Sequence, residues 1–343
     1  VSRAVLLEAP GRSRLLDIDP PEPGPGQALV RIAAAGICGS DRELYRGGRP
    51  EGYRKYPIVP GHEWSGTIEA VGPGCDTALV GRPTVGESFV NCQVCDRCRE
   101  GETNLCQAAY DEIGFTRPGA FADHLLIPAR LLHPLPPGTD LAQAALLEPA
   151  AVAAAAALRA EVLTGERVGV VGGGSIGLLV TRFLAALSPG ELIVSDLRAE
   201  RERAARESGA TDFRPPSELA GLELDVVVET AGAGDSAATS IGTLRRGGRL
   251  VLAGIPSGTP AGLSPSLIVE RQLGITSVFG ASSAAWSHAV RAFLTGTVSL
   301  SGIVTHSLGL EEYVDALDLL GPGVGKIVLR PDPKEATGDG FQT

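Results

Sequence analysis

The stretch Arg167-Val168-Gly169-Val170-Val171-Gly172-Gly173-Gly174-Ser175-Ile176-Gly177 carries more about the fold than any other part of this 343-residue chain. A short apolar run of strand length meets a GxGxxG turn, with Gly172, Gly174 and Gly177 at the spaced positions. Leu178 to Leu187 continues it as a helical pattern. A second strand, Glu191 to Ser195, then ends at Asp196, 19 residues after Gly177. Alone, GxGxxG says little in a chain with 45 glycines. Between a strand and a helix, with an acid at this distance, it reads as a dinucleotide-binding site. The first glycine permits the tight turn, the second lets backbone approach a pyrophosphate, and the third allows close helix–strand packing. Amide groups of Ser175, Ile176 and their neighbours, at the helix start, then face the phosphate charge. Asp196 can accept hydrogen bonds from ribose hydroxyls and would repel a 2′-phosphate, which favours NAD over NADP. Arg198 is a nearby cation that would weaken this preference.

Beyond this unit the same texture repeats. Short apolar strands at Asp225 to Val228 and Arg249 to Ala253 alternate with helical stretches, which implies parallel β-α-β packing. Before about Pro149 the texture is different: short β-like runs separated by Pro and Gly turns. Ala28 to Ala33 reads as a strand, and Glu69 to Val71 runs into the turn Gly72-Pro73-Gly74. Near the C-terminus, helices at Ala284 to Phe293 and Leu310 to Leu320 precede a last strand at Lys326 to Leu329. The polar tail from Asp332 to Thr343 is expected to be loose. The fold class is therefore α/β, a β-rich domain plus a doubly wound parallel sheet.

Composition narrows the range of partners. A formal net charge of −10 disfavours nucleic acid and anionic membrane, both of which select basic patches. No run reaches the length of a membrane-spanning helix; the most apolar segment, Ala144 to Leu158, is shorter and interrupted by Glu148 and Pro149. Val1 to Leu16, with Glu8, Pro10 and three arginines, does not read as a signal peptide. A cytoplasmic, reducing environment is the expectation, and there cysteines point to metal or catalysis before disulfides. Cys92, Cys95, Cys98 and Cys106 form C-x2-C-x2-C-x7-C. Four thiolates in 15 residues can close on one tetrahedral zinc with no open position, which defines a structural site. Cys75 is left over, as a small packed residue near a turn.

Two further strings precede the lobe: Gly36-Ile37-Cys38-Gly39-Ser40-Asp41 and Gly61-His62-Glu63-Trp64-Ser65-Gly66. The second opens G-H-E-x2-G-x5-G-x2-C, which runs to Cys75. Together with the lobe and the dinucleotide site, they resemble the zinc-containing medium-chain dehydrogenase/reductase family. The resemblance spans Ala4 to Arg330 and includes Leu147-Glu148-Pro149, Val228-Glu229-Thr230-Ala231-Gly232 and Gly325-Lys326-Ile327-Val328-Leu329. It implies a GroES-like catalytic domain over residues 1–150, completed by 285–343, and a Rossmann NAD-binding domain over 151–284.

Carried over residue by residue, the resemblance implies two zinc ions per chain. Cys38 and His62 would bind the catalytic one, with Glu63 and Glu148 supplying or exchanging for a third ligand. A small-molecule alcohol or polyol would be oxidised there, its hydride passing to the nicotinamide. Ser40 matches the family hydroxyl that takes the alcohol proton, and Arg201 a position near the adenosine end of the cofactor. Many relatives have a histidine five residues after the zinc cysteine; this chain has Glu43. Glu43 would then carry the proton, bind a substrate amine or hydroxyl, or have no role, the relay running through ribose and water. His124, His133, His288 and His306 lack ligand spacing and read as structural. Relatives are dimers or tetramers, so a homo-oligomer is implied by analogy.

Within the family, three strings look most like the 2-deoxy-scyllo-inosamine dehydrogenases of aminoglycoside antibiotic biosynthesis. They are Cys38-Gly39-Ser40-Asp41 with Leu44-Tyr45-Arg46-Gly47, His62-Glu63-Trp64-Ser65-Gly66, and Gly114-Phe115-Thr116. The implied substrate is an aminocyclitol or cyclic polyol. An acyclic polyol, sugar or L-threonine 3-dehydrogenase of the same family is the alternative. A non-catalytic zinc protein that senses NAD is a third reading, against which the joint presence of Cys38, Ser40, His62, Glu63 and Glu148 argues.

Overall fold

In the computed structural model, which describes residues 1–256, 261–321 and 323–332, the apolar runs around the glycine turn form a six-stranded parallel sheet. Its strands lie in the order Asp212–Arg214, Glu191–Ser195, Arg167–Val171, Leu224–Glu229, Leu244–Leu252 and Gly274–Ser277. Numbered along the chain this is 3-2-1-4-5-6, the doubly wound Rossmann arrangement. Val168, Val170, Leu192, Ile193, Val194 and Val226 to Val228 are all fully buried. A parallel sheet covered on both faces requires such continuous apolar strands. The fifth strand starts at Leu244, earlier than its apolar run, because Leu244 pairs with Leu224 before a register shift brings Arg249 beside Val226.

The other unit is built on a seven-stranded, largely antiparallel sheet. Val304–Gly309, Lys326–Arg330, Gln27–Ile37, Glu63–Val71, Pro83–Gly86 and Leu132–Pro134 follow one another, and His124–Pro128 pairs with Gln27–Ile37. A hairpin of Ser2–Ala9 and Arg12–Ile18 stands apart from that sheet. Its core gathers Val30, Ile32, Ile37, Trp64, Ile68, Phe121, Ile127 and Leu329. The central strand runs past its expected end at Ala33 to Ile37, pairing Gly36 with Glu63 and Ile37 with Ile327.

The chain divides into Val1–Glu148, with the described residues from Leu300 on, and Pro149–Ser299. The first boundary falls in the opening turn of the helix Leu147–Ala160. The return lies at Leu300, later than the expected 285. The helix Ser283–Leu294 belongs with the parallel sheet: Trp286, Ala289 and Val290 are buried, and the His288 ring lies 5.8 Å from Phe183. The expected loose tail lies outside the described residues except for Asp332. Among the described residues, no helix is long and apolar enough to cross a membrane.

Candidate active site and cofactor cradle

Three neighbouring strands deliver one cluster of side chains. Cys38 follows directly on Gln27–Ile37; His62 immediately precedes, and Glu63 starts, the strand paired to it on one side, and Lys326 starts the one on the other. One ligand atom from each of Cys38, His62 and Glu63 lies within 4.8 Å of the others. A Cβ at Gly36 would stand 2.2 Å from Glu63 Oε2, so only glycine leaves the carboxylate its place.

His62 is buried, and its Nδ1 faces Asp41 Oδ1 at 3.4 Å. Burial works against an imidazolium here, yet the Asp41 carboxylate outweighs it and raises the ring's basicity. Asp41 itself is anchored: its Oδ2 accepts the Cys38 amide at 2.8 Å as the helix Gly39–Arg46 begins. Lys326 Nζ donates to Glu63 Oε1 at 2.5 Å, both groups being buried. The pairing with Glu63 holds the ammonium charged against the cost of burial.

Glu63 Oε2 is buried without a hydrogen-bond partner, and His62 Nδ1 and Asp41 Oδ1, also buried, have only each other at 3.4 Å. Orphaned polar atoms cost free energy unless a further group satisfies them. A thiolate, an imidazole and a carboxylate converging on one point form a donor set suited to zinc. The residues therefore fit the metal that the family resemblance implies. Glu148 is not part of this group. It lies in the first turn of its helix, buried, and burial with the nearby Glu63 charge pushes its carboxyl up to about 8. Ser40 is half-buried in the helix that Cys38 starts, and Glu43 is exposed on the same helix.

The four lobe cysteines are free thiols with sulfur atoms within 4.8 Å of one another. Amides point at the sulfurs: Cys95 N to Cys92 Sγ at 3.4 Å, Cys92 N to Cys106 Sγ at 3.3 Å, and Gln107 N to Cys95 Sγ at 3.4 Å. Hydrogen bonds from the Val94 and Cys95 amides bring the Cys92 thiol down to about 6, toward the thiolate a metal needs. The other histidines have other company. His124 meets Glu69 and Ser2, His133 meets Glu87, and His306 meets Thr305.

In the parallel-sheet unit, Gly172 adopts φ +104°, and a Cβ at Gly177 would lie 1.7 Å from the Gly172 carbonyl oxygen. A Cβ at Gly174 would meet only Arg201, at 3.7 Å, so the space above the start of the helix Ser175–Ala185 stays clear. That helix has no side-chain cap, which leaves its first amides for an anion. Asp196 accepts from the Gly173 amide at 2.8 Å, the Arg198 amide at 3.0 Å and Arg201 Nη1 at 2.6 Å. Burial pushes this carboxyl up, but those three donors together hold it below its ordinary value. Arg201, not the Arg198 side chain, is thus the cation seated on Asp196.

Asp41 and Lys326 stand in strings already noted for other reasons, without a role of their own. Lys326 did carry a signal: it is one of only three lysines in a chain whose other basic residues are arginine.

Comparison with known proteins agrees with this construction. The alcohol dehydrogenase GroES-like domain family matches residues 24–137, and the zinc-binding dehydrogenase family matches residues 175–295. A sorbitol dehydrogenase of Macaca fascicularis is 32% identical, over 97% of this chain and 96% of its own. An L-threonine 3-dehydrogenase of Anaeromyxobacter dehalogenans is 30% identical, over 91% and 93%. Among solved structures, a Sinorhizobium meliloti 1021 protein described as a zinc-binding dehydrogenase bound to NADP superimposes with a TM-score of 0.90. It is 29% identical and covers 96% of this chain and 99% of that one. The chain belongs to the zinc-containing medium-chain dehydrogenase family. It is an NAD-linked oxidoreductase acting on a CH–OH group.

Proposed function

We propose that the chain oxidises a secondary alcohol of a cyclic polyol or aminocyclitol, with Cys38, His62 and Glu63 holding the catalytic zinc. The observation that carries the metal assignment is the convergence of three donor types on one point beside orphaned buried atoms. When bound, zinc supplies Lewis acidity to the substrate hydroxyl, and NAD accepts the hydride. Asp41 orients the His62 imidazole, and Lys326 fixes the Glu63 carboxylate through Oε1, the oxygen 4.0 Å from His62 Nε2, while Oε2 has no hydrogen-bond partner. Glu148 stands by as an exchanging carboxylate. Cys92, Cys95, Cys98 and Cys106 hold the structural zinc.

The substrate class rests on the short strings around Cys38, His62 and Phe115. The sorbitol and threonine dehydrogenases among the relatives support an acyclic polyol or amino alcohol equally well. A panel of inositols, aminocyclitols, sorbitol and L-threonine, assayed by NADH formation, separates these readings. Higher kcat/KM on sorbitol or threonine than on every cyclitol would overturn the cyclic one.

Ser40 is the first acceptor of the alcohol proton, and Glu43, exposed on the same helix, hands it to solvent. Glu43→Gln is expected to lower kcat by up to about 10²-fold, the low end for a positioned acid–base group, since water can reach the same place. Small buffer bases should restore part of the loss. Wild-type kcat in weak buffer would remove Glu43 from the relay.

Gly172, Gly174 and Gly177, with the amides of Ser175 and Ile176, cradle the pyrophosphate, and Asp196 reads the ribose. Three donors already sit on that carboxylate, one of them Arg201. Asp196→Ala removes the charge facing a 2′-phosphate and frees Arg201 to meet it. The KM ratio of NADP to NAD is expected to fall by about tenfold or more, since 1.4 kcal/mol is one charge-assisted contact. A wild-type protein that prefers NADP would contradict this reading of Asp196.

A further inference from the structure

Arg49 belongs to none of the strings that point to catalysis, yet the residue is buried, at 9% exposure. Its Nε donates to the Tyr53 carbonyl at 2.8 Å. Nη2 donates to the Tyr110 hydroxyl at 2.6 Å and to Glu112 Oε2 at 3.1 Å. The guanidinium carbon stands 3.6 Å from the centre of the Phe115 ring, a close cation–π stack. The same Phe115 ring lies 4.7 Å from the His62 imidazole, tilted at 41°. Phe115 is 1% exposed and Glu112 is 5% exposed, so the whole stack is dry.

Nε and Nη2 of the buried guanidinium are both committed to these partners. Its head lies close over a ring that in turn neighbours His62. We infer that Arg49 is a positioning residue for the metal site: it clamps Phe115 against His62 and so fixes the imidazole plane toward Cys38 and Glu63. Asp41 faces that ring at Nδ1, and the tilted Phe115 ring packs beside it. Two restraints at an angle determine an orientation that either alone would leave free to rock. The fork geometry and flat face of arginine serve this; a lysine ammonium would keep the charge beside Glu112 but neither the stack nor the paired donors.

The inference rests on the proposed metal role of Cys38, His62 and Glu63, and the test separates the two. The intact protein is loaded with cobalt in place of zinc, and release from each site to a chelator is followed by its absorption. The lobe, with four thiolates, gives the internal control. Phe115→Leu keeps apolar bulk and the Arg49–Glu112 pair; Arg49→Lys keeps the charge. Both are expected to speed cobalt release from the Cys38 site by about 10–100-fold and to alter its d–d bands, as loss of an outer support does at other metal sites. The lobe cobalt should behave as in the wild type. Wild-type release and spectrum in Phe115→Leu would overturn the inference even if Arg49→Lys fails to fold. A wild-type protein that holds cobalt in the lobe alone would overturn both the metal assignment and the inference.

Discussion

Replacing Cys38 with alanine is expected to leave a folded protein that has lost on the order of 10³-fold or more in turnover. Lewis-acid stabilisation is worth several kcal/mol, and each 1.36 kcal/mol is a factor of ten in rate. The fold should survive because the thiol does little of the local structural work. The helix Gly39–Arg46 begins through the Cys38 amide, which donates to Asp41, and alanine keeps that amide. The buried Lys326–Glu63 pair is also untouched. Metal analysis should drop from about two ions per chain to about one, the remaining ion being that of the closed four-thiolate site. Wild-type turnover with full metal content would remove Cys38 from the site.

Cys95→Ser is expected to do the opposite, costing structure before chemistry. The lobe has almost no core of its own: neither of its short helical turns, Asp96–Arg99 and Thr103–Leu105, contains a buried residue. Val94 and Leu105 are exposed, at 65% and 43%. A segment with so little burial cannot offset the entropy of ordering its backbone, about 1–2 kcal/mol per residue. Metal closure must supply that order, and structural zinc contributes apparent free energies of about 10–16 kcal/mol in isolated zinc-finger peptides. Loss of one thiolate should empty the site, open residues 92–106 to limited proteolysis and lower the thermal midpoint. A lobe that resists protease at wild-type rates with one metal per chain would show that its fold does not need the ion.

The two experiments also separate two kinds of legibility. The lobe and the glycine turn were readable from sequence because their partners are close along the chain. Four cysteines within one short loop can meet only one another, and a glycine turn is bounded by the strand and helix that it joins. Apolar runs such as Leu192 to Val194 declare a buried parallel strand for the same local reason. The strand Gln27–Ile37 was legible only to Ala33. Ala33, Ala34, Ala35 and Gly36 have little preference for a strand, and the strands Glu63–Val71 and Lys326–Arg330 on either side impose it. That extension is what carries Cys38 to the edge where His62 and Glu63 begin.

By itself, then, the sequence determined the α/β class, the glycine turn between strand and helix, the acid that hydrogen-bonds to it and the grouping of the four lobe cysteines. Each follows from spacing within one or two elements. Tertiary structure alone decided what stands around the candidate metal. It seated Lys326, 263 residues away along the chain, on one oxygen of Glu63, set Asp41 at the edge of His62, and left Glu148 outside the cluster. It also placed Arg201 rather than Arg198 on Asp196, and drew Arg49 and Phe115 up to the imidazole. The physical reason is the same throughout. Ligand geometry and desolvation depend on atoms brought within a few ångströms by strand pairing and core packing, and separation along the chain carries no information about either.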